Sequence, residues 1–203
     1  MTERGLLIVF SGPSGVGKDT LLTHLLERRP DCTVSVSATT RQPRPGEVEG
    51  RDYYFITREK FGELAACGKM LEYAQYSDNF YGTPADEVER KRNQGCHVIL
   101  EIEVQGAMQV KEHCPDAVLI FLMPPSMEAL RQRLEKRGTE SPEAVEQRIL
   151  AAREEIARAD AYDYLIVNNT IDESCAQLDA VITAASCDAK RMMQLLKKEN
   201  NNA

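Results

Sequence analysis

Leu6-Leu7-Ile8-Val9-Phe10-Ser11-Gly12-Pro13-Ser14-Gly15-Val16-Gly17-Lys18-Asp19-Thr20-Leu21-Leu22 is the stretch around which this chain organises. An apolar run, read as a buried strand, passes through a glycine-rich turn into the helical pattern Lys18–Arg28. In that context G-x-x-x-x-G-K is a phosphate loop. Its glycines let successive backbone N–H groups point inward around an anion. The helix N-terminus adds unpaired donors and a partial positive charge. Lys18 then reaches the outer phosphates. Gly12, Pro13, Ser14, Gly15, Val16, Gly17, Lys18, Asp19 and Thr20 are accordingly read as holding a nucleoside triphosphate. The residue after the lysine is usually Ser or Thr, whose hydroxyl ligates Mg²⁺. Asp19 stands there instead. Two readings stay open: a carboxylate complementing the helix dipole, or one holding Mg²⁺ through a water, as a reluctantly dehydrating cation allows.

Beyond the loop, β-branched runs alternate with helical patterns, which predicts an α/β fold with a mainly parallel sheet. The expected core strands are Leu6–Phe10, Thr33–Ser37, His97–Ile102, Val118–Met123 and Tyr164–Val167. The expected helices are Lys18–Arg28, Ala85–Gln94, Val104–His113, Met127–Lys136, Pro142–Ala159 and one long helix, Glu173–Lys198. Two segments break the rhythm. Residues 39–83 carry short aromatic strands (Tyr53–Ile56, Leu71–Ala74) around a helix, Arg58–Cys67, and read as an inserted subdomain. Residues 129–159 read as an αα-hairpin, with a Gly138 stop and a Ser141-Pro142 start, and form a candidate lid. The core domain is then residues 1–38, 84–128 and 160–203.

The bulk composition narrows the functional classes. Hydrophobic content of 42% and charged content of 28% are ordinary for a globular domain. Apolar runs stop well short of the ~18 residues of a membrane span, and the N-terminus lacks a signal-peptide layout. A cytoplasmic protein without a membrane partner is expected. The net charge of −7 argues against nucleic acid as a partner. The six cysteines show no C-x-x-C spacing, and Cys96-His97 and His113-Cys114 lack zinc-ligand spacing. Composition and pattern leave the oligomeric state open.

Cations are instead gathered locally. Arg41 and Arg44 lie three apart in a loop stiffened by Pro43 and Pro45, and Arg51 follows. Stiff guanidinium forks suit bidentate capture of a phosphate. Tyr53 and Tyr81 supply hydroxyls to complete such a site. Glu72 stands between apolar neighbours, and Ser37 and Thr83 supply further hydroxyls. Arg133 and Arg137 fall four apart on one helix face, and Arg148 lies on the next helix.

These motifs carry a family resemblance. Gly12–Lys18, Ser37-x-Thr-Thr-Arg41-x-x-Arg44-x-Gly-Glu47-x-x-Gly50-x-Asp52-Tyr53, Phe80-Tyr81-Gly82-Thr83, Leu100-Glu101-Ile102-Glu103-Val-Gln105-Gly106, Phe121-x-x-Pro-Pro125-Ser126, Arg133-Leu-x-x-Arg137-Gly138 and Ile166-Val167-Asn168 appear in order. Over essentially its full length the chain resembles the guanylate kinases. The resemblance implies a P-loop NTPase three-layer fold with a small mixed α/β GMP-binding subdomain and a helical lid. It implies ATP-dependent phosphorylation of GMP, and of dGMP, to the diphosphate, with Mg²⁺, in purine nucleotide metabolism. Carried over by position, Arg41, Arg44, Tyr53 and Tyr81 would hold the GMP phosphate. Ser37, Glu72, Thr83 and Glu103 would read guanine. Lys18, Arg41, Arg133, Arg137 and Arg148 would serve the transfer, and Asn168 would lie near the ATP base. The family's acidic pair, often Asp-x-Asp, is Glu101-Ile102-Glu103 here, with Glu101 assigned, like Asp19, to the metal. A kinase of a phosphorylated sugar and a non-catalytic guanylate-kinase-like module are the competing readings. The first lacks a need for the guanine-reading set, and the second tends to lose the phosphate loop.

Overall fold

The apolar run that opens the chain becomes β1 (Leu7–Ser11), and every one of its five residues is buried. Burial on both faces is what a central strand of a covered parallel sheet requires. The computed structural model describes residues 4–136 and 141–200. In chain order after β1 come α1 (Lys18–Arg28), β2 (Cys32–Val34), β3 (Ala38–Thr39), β4 (Tyr54–Phe55), α2 (Arg58–Ala66), β5 (Met70–Tyr76), β6 (Asn79–Pro84), α3 (Ala85–Asn93) and β7 (His97–Glu101). There follow α4 (Val104–His113), β8 (Val118–Met123), α5 (Met127–Lys136), α6 (Pro142–Ile156), β9 (Tyr164–Val167), α7 (Ile171–Ser186) and α8 (Ala189–Asn200). A five-stranded sheet has the order β2-β7-β1-β8-β9, and a four-stranded sheet the order β4-β3-β6-β5. The β2–β7 and β8–β9 pairs are parallel, whereas β3–β6 and β5–β6 are antiparallel. This is the α/β architecture that the alternating pattern predicts.

The chain divides into two compact units. One takes in Phe10–Pro30 and Val118–Ala203, with Met1; the other takes in Thr2–Val9 and Asp31–Ala117. In the first, α1 is joined to α7 by ion pairs from Arg28 to Asp172 and from Arg29 to Asp179. Helices α5 and α6 close on their own apolar cluster of Leu130, Leu134, Val145, Ile149 and Ala152. Ser141 caps α6 by accepting from the Ala144 N–H, and Pro142 opens its first turn.

In the second unit the mixed sheet packs Ala38 and Met70 against Phe61 of α2. Thr57 caps that helix. Arg92 of α3 is fully buried, donating to the Gly5 carbonyl, Glu89 and Asp116. The buried cation is satisfied by two carboxylates and a carbonyl, as burial of charge demands.

Several element boundaries depart from expectation. The expected Glu173–Lys198 helix is two helices, because Asp188 accepts from the Arg191 N–H and starts a new one. The Cys187 N–H meanwhile turns back to the Ala184 carbonyl. The expected Thr33–Ser37 strand ends at Val34, with one further bond from the Ser35 N–H to the Ile99 carbonyl, and the next strand is β3. The 142–159 helix ends at Ile156 and gives way to a single 3₁₀ turn, Ala159–Ala161. β3 and β6 are strands beyond those the pattern indicated.

Candidate active site

The phosphate loop is built mainly of backbone. Gly17, which precedes α1, has φ 105°, and the helix has no side-chain cap. Its first N–H groups are therefore left to an incoming anion. Gly12 takes φ 154°, and a Cβ there would stand 2.5 Å from the Leu122 carbonyl oxygen. Glycine lets the loop leave β1 in contact with β8. Lys18 folds back on the loop, its Nζ donating to the Gly12 carbonyl at 2.7 Å and lying 3.5 Å from that of Pro13.

Two arginines of the α5–α6 pair lean on the same loop. Arg133 donates from Nη1 to the Val16 carbonyl at 2.8 Å and from Nη2 to the Asn168 carbonyl at 3.0 Å. Arg148 Nη1 lies 3.2 Å from Ser14 Oγ. A cavity of about 360 Å³ opens here, lined by Gly15, Val16, Gly17, Thr20, Arg133, Asn168, Asn169 and Ile171. Asn168 is buried, and both ends of its carboxamide are committed. Nδ2 donates to Val16, and Oδ1 accepts from Ser174. It forms a wall that supports the loop, and Asn169 beside it is exposed. Asp19 and Thr20 are exposed in the first turn of α1. Arg137 lies outside the described residues.

The second unit holds a different kind of site. A cavity of about 270 Å³ brings Ser37, Tyr53, Glu72, Tyr81, Glu101 and Glu103 together with Gly106. Glu72 is 6% exposed. Thr83 Oγ1 donates to its Oε1 at 2.7 Å. Burial raises the Glu72 carboxyl above the ordinary range; the Thr83 hydroxyl and backbone N–H pull it back, and the charge of Glu103 pushes it further up. A buried carboxylate with one firm donor has lone pairs left for two more, the complement of paired N–H groups on a planar base. Burial likewise raises the Tyr53 hydroxyl.

Arg41 is held on every side. Its guanidinium is 5.3 Å from the Tyr53 ring centre and 5.8 Å from that of Phe55. Tyr53 and Tyr81 pack edge to face at 6.0 Å. Nη1 and Nη2 donate to the two carboxylate oxygens of Glu47, each at 2.9 Å, and Nη1 also to the Gln42 carbonyl. The Arg44 N–H reaches the same carboxylate at 2.6 Å, while the Arg44 side chain is exposed. Glu47 is quoted in the sequence reading only as part of a motif, with no role of its own. Its signal is the carboxylate six residues after one arginine and three after the other. The Arg41 guanidinium and the Arg44 N–H hold its carboxyl down at about 2.

A glycine-rich backbone turn opening a helix, and a separate pocket lined by a buried carboxylate and by Tyr53, the ring beside which Arg41 lies, are features that a nucleotide phosphotransferase can use. The guanylate kinase family model matches residues 4–185. The chain belongs to the guanylate kinase family. A guanylate kinase of Streptococcus thermophilus (strain CNRZ 1066) is 52% identical over 194 residues, 95% of this chain and 93% of the relative. One from Lactococcus lactis subsp. lactis (strain IL1403) is 50% identical over 194 residues, 96% of this chain and 95% of the relative. Among solved structures, guanylate kinase from Anaplasma phagocytophilum superposes with a TM-score of 0.75 at 37% identity, covering 97% of this chain and 95% of that one. Set beside that family, the guanylate kinase motifs of the chain fall on the two sites just described. The loop motif and the Arg133 and Asn168 motifs frame one cavity, and the Ser37, Tyr53, Tyr81 and Glu101–Glu103 motifs frame the other. Thr83 enters through its bond to Glu72, and Arg41 through Tyr53.

Proposed function

We propose that this chain is a guanylate kinase that transfers the γ-phosphoryl group of ATP to the phosphate of GMP or dGMP, releasing ADP. The observation that carries this reading is the buried Glu72, gripped by Thr83 at 2.7 Å in a cavity walled by Tyr53 and Tyr81. Its carboxylate accepts N1–H and N2–H₂ of guanine, while Ser37 serves the base edge and Glu103 its polar rim; Thr83, expected to read guanine itself, instead spends its one hydroxyl proton on Glu72 and acts by orienting that carboxylate. Adenine would set a bare N1 acceptor against that carboxylate. Burying the mismatch in a polar site of this kind discriminates by ~10⁴–10⁵. Arg41 and Arg44, with Tyr53 and Tyr81, hold the acceptor phosphate.

The chemistry is in-line displacement. An oxygen of the GMP phosphate attacks the γ-phosphorus, and the bond to the ADP oxygen breaks. Such transfer needs positioning and charge neutralisation more than covalent help. Lys18 exchanges the Gly12 carbonyl for phosphate oxygens. Arg133 and Arg148 shield the transferring group, joined by Arg137 from outside the described residues. The 129–159 hairpin acts as the lid and residues 39–83 as the acceptor subdomain, each excluding water as it closes. Mg²⁺ arriving with ATP would neutralise the phosphate tail. Among the described residues no group of three or more His, Cys, Asp or Glu side chains is set to hold a metal. An exposed Asp19 carboxylate beside the Thr20 hydroxyl fits an ion held chiefly by phosphates and water; Glu101, the other carboxylate assigned to the metal, lines the cavity that holds Glu72.

The test is coupled ADP release with ATP·Mg²⁺ and, in turn, GMP, dGMP, AMP, UMP and ribose phosphates. Rapid turnover with GMP and dGMP alone supports the reading. Turnover with a sugar phosphate, or with AMP as readily as GMP, overturns it.

A further inference from the structure

Glu72 lies on β5, an edge strand of the smaller sheet, and one face of α4 holds it in place. Gly106, Gln109 and His113 are spaced i, i+3, i+7, so they share a stripe. The Gln109 carboxamide engages both polar groups of Tyr73: Oε1 accepts the Tyr73 N–H at 3.1 Å, and Nε2 donates to the Tyr73 carbonyl at 3.1 Å. That is the pairing a neighbouring strand would make, supplied by a single side chain. His113 Nδ1 lies 3.1 Å from the Leu71 carbonyl oxygen, which places the ring proton on Nδ1. Leu71 and Tyr73 are the residues on either side of Glu72. The β5–β6 ladder is irregular between Met70 and Tyr73, so this stretch lacks the continuous pairing that would otherwise fix it. Finally, a Cβ at position 106 would stand 2.6 Å from Glu72 Oε2 and 3.2 Å from its Cδ.

We propose that α4 is the template that sets Glu72: Gln109 and His113 are positioning residues that fix the backbone on both sides of it, and Gly106 is the gap in which its carboxylate lies. Together they determine selectivity for a base with two adjacent N–H donors. The proposal rests on Glu72 reading guanine, as set out above. A carboxylate accepting two hydrogen bonds at once must lie nearly in the plane of the base. A tilt of its strand by a fraction of an ångström spoils one bond before the other. None of the three residues needs to touch the nucleotide for this to hold.

The experiment uses the full chain with Gln109→Leu and Gly106→Ala, and compares GMP with inosine monophosphate, which keeps N1–H and O6 but lacks the 2-amino group. Gln109→Leu removes one amide clasp and raises KM for GMP about tenfold. Gly106→Ala displaces the carboxylate itself and raises it by ~10²-fold. In both, the GMP-over-inosine preference falls by a similar factor, while KM for ATP stays within about twofold, well under the ~tenfold change a lost hydrogen bond gives. Alanine is favoured over glycine in a helix, so a loss in Gly106→Ala is not a loss of α4. Should that variant fail to fold, Gln109→Leu decides alone. Where the wild type does use GMP, an unchanged preference in these variants overturns the proposal, whatever happens to Tm. A wild type that leaves GMP untouched overturns the activity reading and this inference with it.

Discussion

The two sites handle cations in opposite ways. At the phosphate loop, Lys18 and Arg133 rest on backbone carbonyls. Beside Tyr53 at the second cavity, Arg41 is in a two-pronged ion pair with Glu47. A carbonyl orients an ammonium without cancelling its charge, so the loop keeps its attraction for a polyphosphate. A carboxylate fixes a guanidinium firmly and cancels much of its field. On the proposed reading, the loop captures a strongly charged group of standard shape, and the pocket holds a fixed geometry against which one base is told from another.

That contrast can be broken at three points. The largest effect is expected at the loop. Lys18→Ala should lower kcat by ~10³-fold, the scale of losing one group aimed at developing charge, in stopped-time assays at saturating ATP and GMP. A fall of tenfold or less would mean the loop backbone alone does the stabilising.

The next is Glu72→Gln, which keeps shape and one acceptor. Its kcat/KM for GMP should drop by ~10²-fold. The wild-type acid limb of kcat/KM should sit above the ordinary glutamate range, because burial raises this carboxyl, and should vanish in the variant. The same residue weighs on the fold. Folding raises its proton affinity, so its contribution is most favourable in acid and is lost as pH climbs through the raised value. At pH 7 the variant should melt higher, by about 2–4 °C, and the gap should close toward pH 4. A variant that melts lower at pH 7 would show that Thr83 and its neighbours more than offset the cost of burying the charge.

The smallest is Glu47→Gln. If the carboxylate chiefly shapes Arg41 and the Arg44 backbone, KM for GMP rises about tenfold with KM for ATP unmoved. A fall in KM for GMP would reverse the comparison, making Glu47 a competitor that the substrate phosphate must displace.

The contrast also governs what could be read from the chain alone. The phosphate loop is local: seven consecutive residues running from a strand into a helix specify it, and in the structure Gly12 and Gly17 take positive φ while Lys18 turns back over the loop. The boundaries of α1, α4 and α5 were legible for a similar reason, since each lies within one uninterrupted helical pattern. The acceptor pocket is non-local. Its arginine loop, its strand β5 and the β7–α4 turn are distant in sequence, and only family motifs tied them together beforehand. What stayed hidden were contacts by which one residue holds another: Glu47 under Arg41, Gly106 against Glu72, and Asn168, expected near the ATP base, bonded to the loop carbonyl of Val16. Glutamate, glycine and asparagine occur at countless surface positions, and their partners become visible only when the chain is folded. The break before α8 escaped for a subtler reason. Asp188 falls inside a continuous helical pattern, and its capping bond to the Arg191 N–H competes with helix continuation by a small margin.

The burial of Arg92 is one-sided, and that sets which repair the molecule would tolerate. The guanidinium is fully enclosed, while the side chains of Glu89 and Asp116 remain 36% and 54% exposed. If Arg92 were exchanged for methionine, both carboxylates could turn to solvent, where Arg4 also attends them; only the Gly5 carbonyl would be left wanting a donor. If instead both acids were neutralised, a cation would be stranded where water does not reach, and a stranded buried charge is the costlier defect. The lone positive charge is thus more expendable than the pair of negative ones that answer it, and thermal melts of Arg92→Met against the Glu89→Gln/Asp116→Asn double variant should rank them in that order.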